Sequence, residues 1–441
     1  MATASLTDIA CPFCGLACDD LSLNESSGTL TASGGACSRA QSVFQKIGSV
    51  RSDAASSWID GKPVTLEQAM TKAIELIASA QAPLFGGLAT DVLGMRGLME
   101  LADRTGAILD HMNSESKLRN LRTVQDAGWI TTTLSEVRNR ADVIVCFGTD
   151  VSSRFPRFFE RCVWVEKPMF LEDSEHRQVI LIGEPKNLAS AISPKGQQPE
   201  VIAIAQDRLA EAAALMRGLV AGSLPNKIKT DLPFEALQSV AERLQAAHYG
   251  VIVWAAADLD WSHAELTIQA LTAMIGTLNN TTRCAGMPLG GSDGDFSSDA
   301  VMLWQSGYPF RTSLASGTSQ YDPVMHSTER IVAEGETDCV LWVAGLDPDR
   351  IQVPNLRAVT SRHSASAKGC PMIALTSAGA DLVSEAAVQI TVATPGVDTH
   401  GYLFRADKVV TLPLRKAIQR SYPTVAEIAQ HILVGLGDKA C

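Results

Sequence analysis

The pattern that most constrains the fold of this chain is a series of short apolar runs separated by helical segments. The runs DVIVCFG (142–148), QVILIG (178–183) and DCVLWVAG (338–345) show no polar alternation. Continuous runs of this kind are typical of parallel strands that are buried on both faces. Because such strands alternate with helices, the sequence predicts an α/β fold with doubly wound, Rossmann-like domains. Further strands are predicted at 84–87, 108–111, 250–257, 370–377 and 388–395.

Capping signals indicate where several helices begin and end. Thr65 is placed as an N-cap, and Gln68 three residues later completes a capping box. A helix is also predicted from about Asp91 to Arg104, and Gly106 is placed to end it in a left-handed conformation. Another helix is predicted at about 262–276.

The length of 441 residues predicts two or three domains. We expect a small cysteine-rich unit at 1–55, a first α/β domain at 56–235 and a second at 236–441. The boundary between the α/β domains is expected near 222–246, where the sequence from Gly222 to Lys229 resembles a connecting loop.

Four cysteines stand close together near the start of the chain, in the order C-x2-C-x3-C-x18-C. They are Cys11, Cys14, Cys18 and Cys37. Four thiolates from a tight turn and one returning segment can surround a metal ion or an iron–sulfur cluster. The array therefore predicts a [4Fe–4S]-type site in the N-terminal unit.

Two other interpretations of the array stay open, a structural zinc ion and four reduced thiols without metal. Thiolate is a soft ligand that suits zinc as well as iron–sulfur clusters. Zinc ribbons usually carry two C-x2-C pairs, whereas here one pair has that spacing. A disulfide framework is disfavoured, because the chain is long and shows no secretory leader.

Charge and hydropathy exclude several classes of partner. The net charge of −11 disfavours nucleic acid as a partner. No apolar run approaches the roughly 18 residues that a membrane-spanning helix needs. Ten cysteines without a leader indicate a reducing compartment, so we expect a cytoplasmic protein that does not bind membranes.

Four segments, in order, resemble the B subunit of formylmethanofuran dehydrogenase, a member of the molybdopterin oxidoreductase superfamily. They are NRADVIVCFGTDVSSRFPR (139–157), CAGMPLGGSDGDFSSDAVMLWQSGYPFR (284–311), GLDPDR (345–350) and TPGVDTHGYLFRADKV (394–409). The resemblance covers nearly the whole chain. It implies a [4Fe–4S] cluster at the cysteine array and a pterin-dinucleotide region that includes Gly290, Gly291 and Asp347. Considered alone, the glycines favour a simpler interpretation, in which they make tight turns.

The chain departs from this family at the reactive metal. The family segment resembles D-N-T-x-S-V-C-H-G-P, whose cysteine ligates molybdenum or tungsten. The corresponding segment here is DHMNSESKLRN (110–120), which has Ser116 at the ligand position and Lys117 in place of histidine. A hard alkoxide does not replace a soft thiolate without changing the site. The departure therefore predicts that the molybdopterin cofactor and its metal are absent.

That departure resembles the B subunit of the formyltransferase/hydrolase complex of aerobic methylotrophic bacteria. The resemblance implies a non-catalytic scaffold that works with formyltransferase, amidohydrolase-type hydrolase and C-type subunits. The complex would convert formyl-tetrahydromethanopterin to formate through a methanofuran-type carrier in formaldehyde oxidation. Two alternatives stay open: a catalytic dehydrogenase subunit with Ser116 as the metal ligand, and an electron-relay subunit that uses the cysteine cluster alone.

A few other polar residues are candidate site residues. His111 could line the former metal pocket, although a hydrogen-bonded structural histidine is the simpler interpretation. Arg154, Arg157 and Arg161 could bind an anionic ligand, or they could form a solvated face or a subunit contact. Residues 347–350 follow a predicted strand, where they could bind a ligand or cap the next helix.

Overall fold

The structure is a computed structural model that describes residues 4–26, 29–51, 53–225, 229–356, 369–384 and 386–437. Its strands are β1 (Ala4–Ile9), β2 (Leu21–Ser26), β3 (Thr29–Ser33), β4 (Ser57–Ile59), β5 (Lys62–Pro63), β6 (Pro83–Ala89), β7 (Ile108–His111), β8 (Val143–Phe147), β9 (Gln178–Ile182), β10 (Glu200–Ile202), β11 (Gly250–Trp254), β12 (Cys284–Pro288), β13 (Thr312–Ser313), β14 (Gln320–Tyr321), β15 (Cys339–Ala344), β16 (Met372–Ser377), β17 (Ala386–Val392), β18 (Gly401–Phe404) and β19 (Thr411–Leu414). Its helices are α1 (Ser38–Gly48), α2 (Leu66–Ser79), α3 (Val92–Thr105), α4 (Ser114–Ala127), α5 (Leu134–Arg140), α6 (Val151–Arg154), α7 (Leu209–Ala221), α8 (Phe234–Ala246), α9 (Ala264–Leu278), α10 (Asp295–Ser306), α11 (Thr328–Ala333) and α12 (Val425–Leu436).

The chain forms two compact units, and the first of them is discontinuous in sequence. It comprises 1–114 with 291–441, and the second comprises 115–290. The contiguous domains expected at 56–235 and 236–441 do not match this division. The expected boundary near 222–246 lies inside the second unit, and residues 226–228 of that segment lie outside the described residues. The physical reason is long-range pairing. Strand β6 pairs in parallel with β15, and residues 115–290, which lie between them in the chain, form the second unit.

The first unit is built on a mixed sheet in the order β14-β13-β7-β6-β15-β16-β17-β4-β5. The central strands from β7 to β17 are parallel, and the flanking strands are antiparallel. Chain order reverses between β6 and β15, which makes this pair the topological switch point. In open α/β sheets, ligands bind outside the carboxyl ends of the strands at such a point.

The cysteine-bearing segment is part of this first unit. It forms the antiparallel sheet β1-β2-β3 and helix α1. The Arg420 guanidinium donates to the carbonyl oxygens of Ile47 and Gly48, both at 2.9 Å, at the end of α1. A cation suits this position because the last carbonyls of a helix have no partner within the helix.

The second unit contains a wholly parallel sheet in the order β10-β9-β8-β11-β12. Its central strands β8 and β11 are buried along their whole length, as the continuous apolar runs predict, whereas the edge strand β10 is mostly exposed. Chain order reverses between β8 and β11, which is the arrangement of a doubly wound fold. The two sheets confirm the predicted α/β class.

The predicted helix signals are also confirmed where the structure describes them. Thr65 and Gln68 form the capping box of α2, and Gly106 ends α3 at φ 66°. Helix α9 begins at Ala264 and ends at Leu278, about two residues later at each end than predicted. Helix α2 ends at Ser79, and Pro83 begins β6.

The capping box of α12 leads to a first prediction. The Thr424 hydroxyl accepts the Glu427 N–H at 3.1 Å, and the Glu427 carboxylate accepts the Thr424 N–H at 2.7 Å. Thr424→Ala should lower the free energy of unfolding by about 1 kcal/mol, because a helix-terminal N–H loses its partner. The control is Thr71→Ala, at an exposed position within α2. This substitution should change the free energy of unfolding by less than about 0.5 kcal/mol. Equal effects in chemical denaturation would contradict the capping role.

Candidate functional site

The four N-terminal cysteines lie on a loop that the backbone holds closed. The Cys11 N–H donates to the Cys18 carbonyl at 2.8 Å, and the Ala17 N–H donates to the Cys14 carbonyl at 3.1 Å. Cys37 lies just before α1, and none of the four cysteines forms a disulfide bond. The predicted set is therefore arranged around one closed loop and the start of one helix.

The electrostatics of this loop show that the four sulfurs share one neighbourhood. Burial raises the pKa of the Cys11 thiol well above its usual value, and nearby Cys14, Cys18 and Cys37 raise it further. Burial also raises the pKa of Cys14, whereas the Arg39 guanidinium opposes that shift. Four clustered thiols are costly to ionise together, because each thiolate repels the others. A positively charged metal group would offset this repulsion, so metal binding and loss of the thiol protons are coupled.

The chemistry of these side chains limits which metal group they could hold. Thiolate is a soft ligand that suits both zinc and iron–sulfur clusters. Within the described part of the chain, no three His, Cys, Asp or Glu side chains form a group that could hold a metal ion as they stand. The four cysteines are compatible with an iron–sulfur cluster, and zinc and four reduced thiols stay open.

Two buried carboxylates lie at the carboxyl edge of the mixed sheet, and both are engaged by arginines. Asp347 follows β15 and accepts from Arg39 at 2.9 Å. Asp293 accepts from Arg350 through both of its oxygens, at 2.7 to 3.0 Å. The Asp347 and Asp293 side chains are 4% and 1% exposed. The sequence analysis named the segment with Asp347 and Arg350 but missed their partners. For Asp347 the available signal was Arg39, which stands two residues after Cys37.

His111 and Asn113 at the end of β7 complete this network. The His111 Nδ1 accepts the Asn113 N–H at 3.0 Å, so its Nε2 carries the proton and donates to the Asp293 carbonyl at 3.2 Å. The Asn113 amide donates to the Asp293 carboxylate at 3.1 Å. His111 is thus a buried structural histidine, which is the simpler of its two predicted interpretations.

The glycine-rich turn packs backbone against backbone. Gly291 and Gly294 adopt φ 88° and 68°, where glycine is favoured. A Cβ atom at Gly291 would lie 2.8 Å from the Gly15 Cα, and one at Gly294 would lie 2.3 Å from the Thr90 carbonyl oxygen. These glycines are therefore required for tight turns and close approach within the first unit. Gly290 follows β12 and is the last residue of the second unit.

The remaining predicted site residues lie in the second unit. Ser116 and Lys117 lie in the first turn of α4, and Lys117 is buried. Arg154 pairs with Asp258, and Arg157 pairs with Glu160 at 2.5 Å. Both arginines therefore already bind carboxylates, an arrangement that the sequence analysis did not predict.

A further ion pair, between the buried side chains of Asp110 and Arg311, escaped the sequence reasoning. The Arg311 Nε lies 3.6 Å from the Asp110 carboxylate, and the Thr328 N–H donates to the same carboxylate at 2.8 Å. Burial raises the pKa of Asp110 to about 6, although Arg311 and hydrogen bonds from Ser114 and Thr328 oppose the shift. No local sequence signal marks this pair, because its members lie about 200 residues apart.

Comparisons with known proteins agree with this site and fold. No family model matches the chain. The chain is 26% identical over 419 residues to the B subunit of the tungsten-containing formylmethanofuran dehydrogenase 2 of Methanocaldococcus jannaschii, and the match covers 93% of each chain. It is 24% identical over 396 residues to the B subunit of the formyltransferase/hydrolase complex of Methylorubrum extorquens, covering 87% of this chain and 98% of that relative.

The chain is a homologue of these B subunits. The crystal structure of the M. extorquens formyltransferase/hydrolase complex with methylofuran contains a similar fold, with a TM-score of 0.72, 24% identity and coverage of 87% of this chain and 99% of that chain. The acetylene hydratase of Pelobacter acetylenicus shares the fold at a TM-score of 0.59 and 9% identity, over 98% of this chain and 69% of that one. Among the described residues of this chain, no helix is long and apolar enough to cross a membrane.

The close approach between Gly294 and the Thr90 backbone gives a second prediction. Gly294→Ala should lower the free energy of unfolding by about 3 kcal/mol or more, because it adds a clash with the Thr90 carbonyl to the strain of a positive φ. Gly307→Ala is the matched control, since Gly307 has φ 80° with open space around it, and should cost about 1 to 2 kcal/mol. Equal losses in chemical denaturation would show that the turn tolerates a side chain.

The Asp110 carboxyl gives a third prediction, in the pH dependence of stability. Its folded pKa of about 6 exceeds the ordinary value of 3.8, so the folded chain binds the proton more tightly and stability falls as pH rises between these values. The difference between the folded and the ordinary pKa of Asp110 corresponds to about 3 kcal/mol in the free energy of unfolding. In Asp110→Asn this fall should disappear, as measured by denaturation from pH 4 to pH 7.

Ser114→Ala provides the matched comparison. It removes a hydrogen bond that favours the Asp110 carboxylate, which should raise the folded pKa of Asp110 and move the fall in stability to higher pH. An unchanged pH profile in both variants would contradict the assignment to Asp110.

Proposed function

We propose that this chain is a non-catalytic scaffold subunit of a formyltransferase/hydrolase complex. The complex converts formyl-tetrahydromethanopterin to formate through a methanofuran-type carrier in formaldehyde oxidation. Its partners are formyltransferase, amidohydrolase-type hydrolase and C-type subunits, of which the transferase and the hydrolase supply the chemistry. The homology to B subunits and the similar fold within the M. extorquens complex support this proposal.

The observation that carries the proposal is the pairing of two buried carboxylates with arginines at the carboxyl edge of the mixed sheet. A pterin dinucleotide held there would need free hydrogen-bonding groups and glycines that approach its phosphates. Instead, Asp347 and Asp293 bind Arg39 and Arg350, and Gly294 packs against protein backbone. The residues at this edge do not fit the cofactor.

The residues at the lost metal position support the same conclusion. Ser116 offers a hydroxyl where the dehydrogenase family has a thiolate, and Lys117 replaces the adjacent histidine. A histidine can transfer protons near neutral pH, and this position lacks one. The chain therefore differs from the dehydrogenase family at both positions beside the reactive metal.

We also propose that the cysteine array holds a [4Fe–4S] cluster, with Cys11, Cys14, Cys18 and Cys37 as its ligands. Such a cluster, when bound, supplies one-electron transfer and cross-links its loop. The protein would contribute four thiolates, those of Cys11 and Cys18 being buried, and the positive charge of Arg39 beside Cys14. In a scaffold the useful property of the cluster is that it cross-links the cysteine segment, which is part of the first unit.

The test is a reconstitution of the complex with the wild-type chain and with Ser116→Ala. We expect equal formate production from both, because Ser116 takes no part in the chemistry, and no viologen-linked oxidation of the formylated carrier. Ser135→Ala, an exposed serine of α5, controls for loss of a hydroxyl. Viologen reduction that Ser116→Ala abolishes and Ser135→Ala preserves would instead establish a dehydrogenase with a serine-ligated metal.

A further inference from the structure

A groove lies on the surface of the first unit beside α3 and α12, with a cavity volume of about 740 Å³. The two helices pack closely, since a Cβ atom at Gly97 would lie 3.2 Å from the Ala426 Cα. Gln305 and Ser306 at the end of α10 form part of the wall. We refer to this feature as the α3/α12 groove.

The lining of the groove suits a polypeptide segment better than a small molecule. Small-molecule sites are enclosed and contain a few buried polar groups that converge on the ligand. Here Glu100, Asp103 and Gln430 line the groove as exposed helix-surface residues, and Leu93 is 42% exposed. Exposed apolar and polar groups along two helices are typical of a protein contact.

The charge of the groove indicates the chemistry of that segment. The charged lining residues are three carboxylates and one guanidinium, Glu100, Asp103, Glu427 and Arg96, which gives a formal charge of −2. Complementary charge favours association with lysine or arginine side chains and disfavours an acidic segment. Glu427 also caps α12, so its position is fixed.

Two exposed aromatic rings stand on α10 and β18, which are elements that contact α3. Trp304 precedes the lining residue Gln305 on α10, is 53% exposed and stands 6.1 Å from the Phe404 ring. Tyr402, which is 46% exposed, lies two residues from Phe404 and therefore on the same face of β18. The Tyr402 N–H donates to Asp91, the N-cap of α3, at 3.1 Å, which places β18 beside that helix.

Tryptophan and tyrosine are the residues that most often carry the binding energy of protein interfaces. A patch that combines exposed rings with an acidic groove therefore has an apolar anchor site and a charged rim, as a protein interface does.

We infer that the α3/α12 groove and the adjacent rings of Trp304 and Tyr402 bind a segment of a partner subunit in which lysine or arginine residues flank an apolar side chain. The inference rests on the proposed function, because that function supplies the partner subunits. The inference specifies, in addition, which surface of this chain binds the partner subunit and which side chains the bound segment carries.

The test measures binding of the full-length chain to recombinant formyltransferase-type, hydrolase-type and C-type subunits of the source organism, by sedimentation at two salt concentrations. Glu100→Lys with Asp103→Lys should weaken binding to one of these subunits by about tenfold or more and reduce its salt dependence. Trp304→Ala should weaken binding to the same subunit by a similar factor. Glu427 is left intact because its loss would remove the helix cap.

The matched control is Asp231→Lys with Glu242→Lys, two exposed acids of the second unit that give the same change in net charge. Unchanged thermal unfolding of each variant shows that the fold persists. Weaker binding in the groove variants alone supports the inference. Equal binding by all variants overturns it and leaves the scaffold proposal intact, whereas no binding by the wild-type chain overturns both.

Discussion

The arrangement on which the first unit depends is the pairing of two buried carboxylates with two arginines at the carboxyl edge of its mixed sheet. Asp347 binds Arg39, and Asp293 binds Arg350. Buried carboxylates of this kind are tolerated when they are paired and hydrogen-bonded, and removal of one partner leaves an uncompensated charge. The pairs join the cysteine segment, the loop after β15 and the glycine-rich turn, which are far apart in sequence.

This network gives a physical reason why a fold shared with redox enzymes need not perform redox chemistry. Function resides in the groups that a site presents, and a fold alone does not supply them. The switch point between β6 and β15 is where an α/β sheet ordinarily binds a ligand. In this chain the groups at that point bind one another, through Asp293, Arg350 and His111. The proposed role in assembly follows from that arrangement together with the absence of a thiol at Ser116.

The sequence predicted the parts of the fold that local physical chemistry determines. The strands β8, β9 and β15 were recognisable because a doubly buried strand needs a continuous apolar run, and α2 because its capping box is local. The division into units could not be predicted, since it depends on which strands pair across more than 200 residues, as β6 and β15 do. The same limit applied to the site: the cysteine spacing is local, whereas the pair Arg39–Asp347 joins residues 308 positions apart.

The central claim is that the cysteine array keeps a cluster while the carboxyl edge has lost its pterin-bound metal. Elemental analysis of the complex, purified without oxygen, tests it most directly by counting iron, zinc, molybdenum and tungsten per chain. The account predicts about four irons per chain, with no molybdenum or tungsten. One molybdenum or tungsten per chain would contradict it, because the groups at the carboxyl edge would then have to release one another to hold a cofactor.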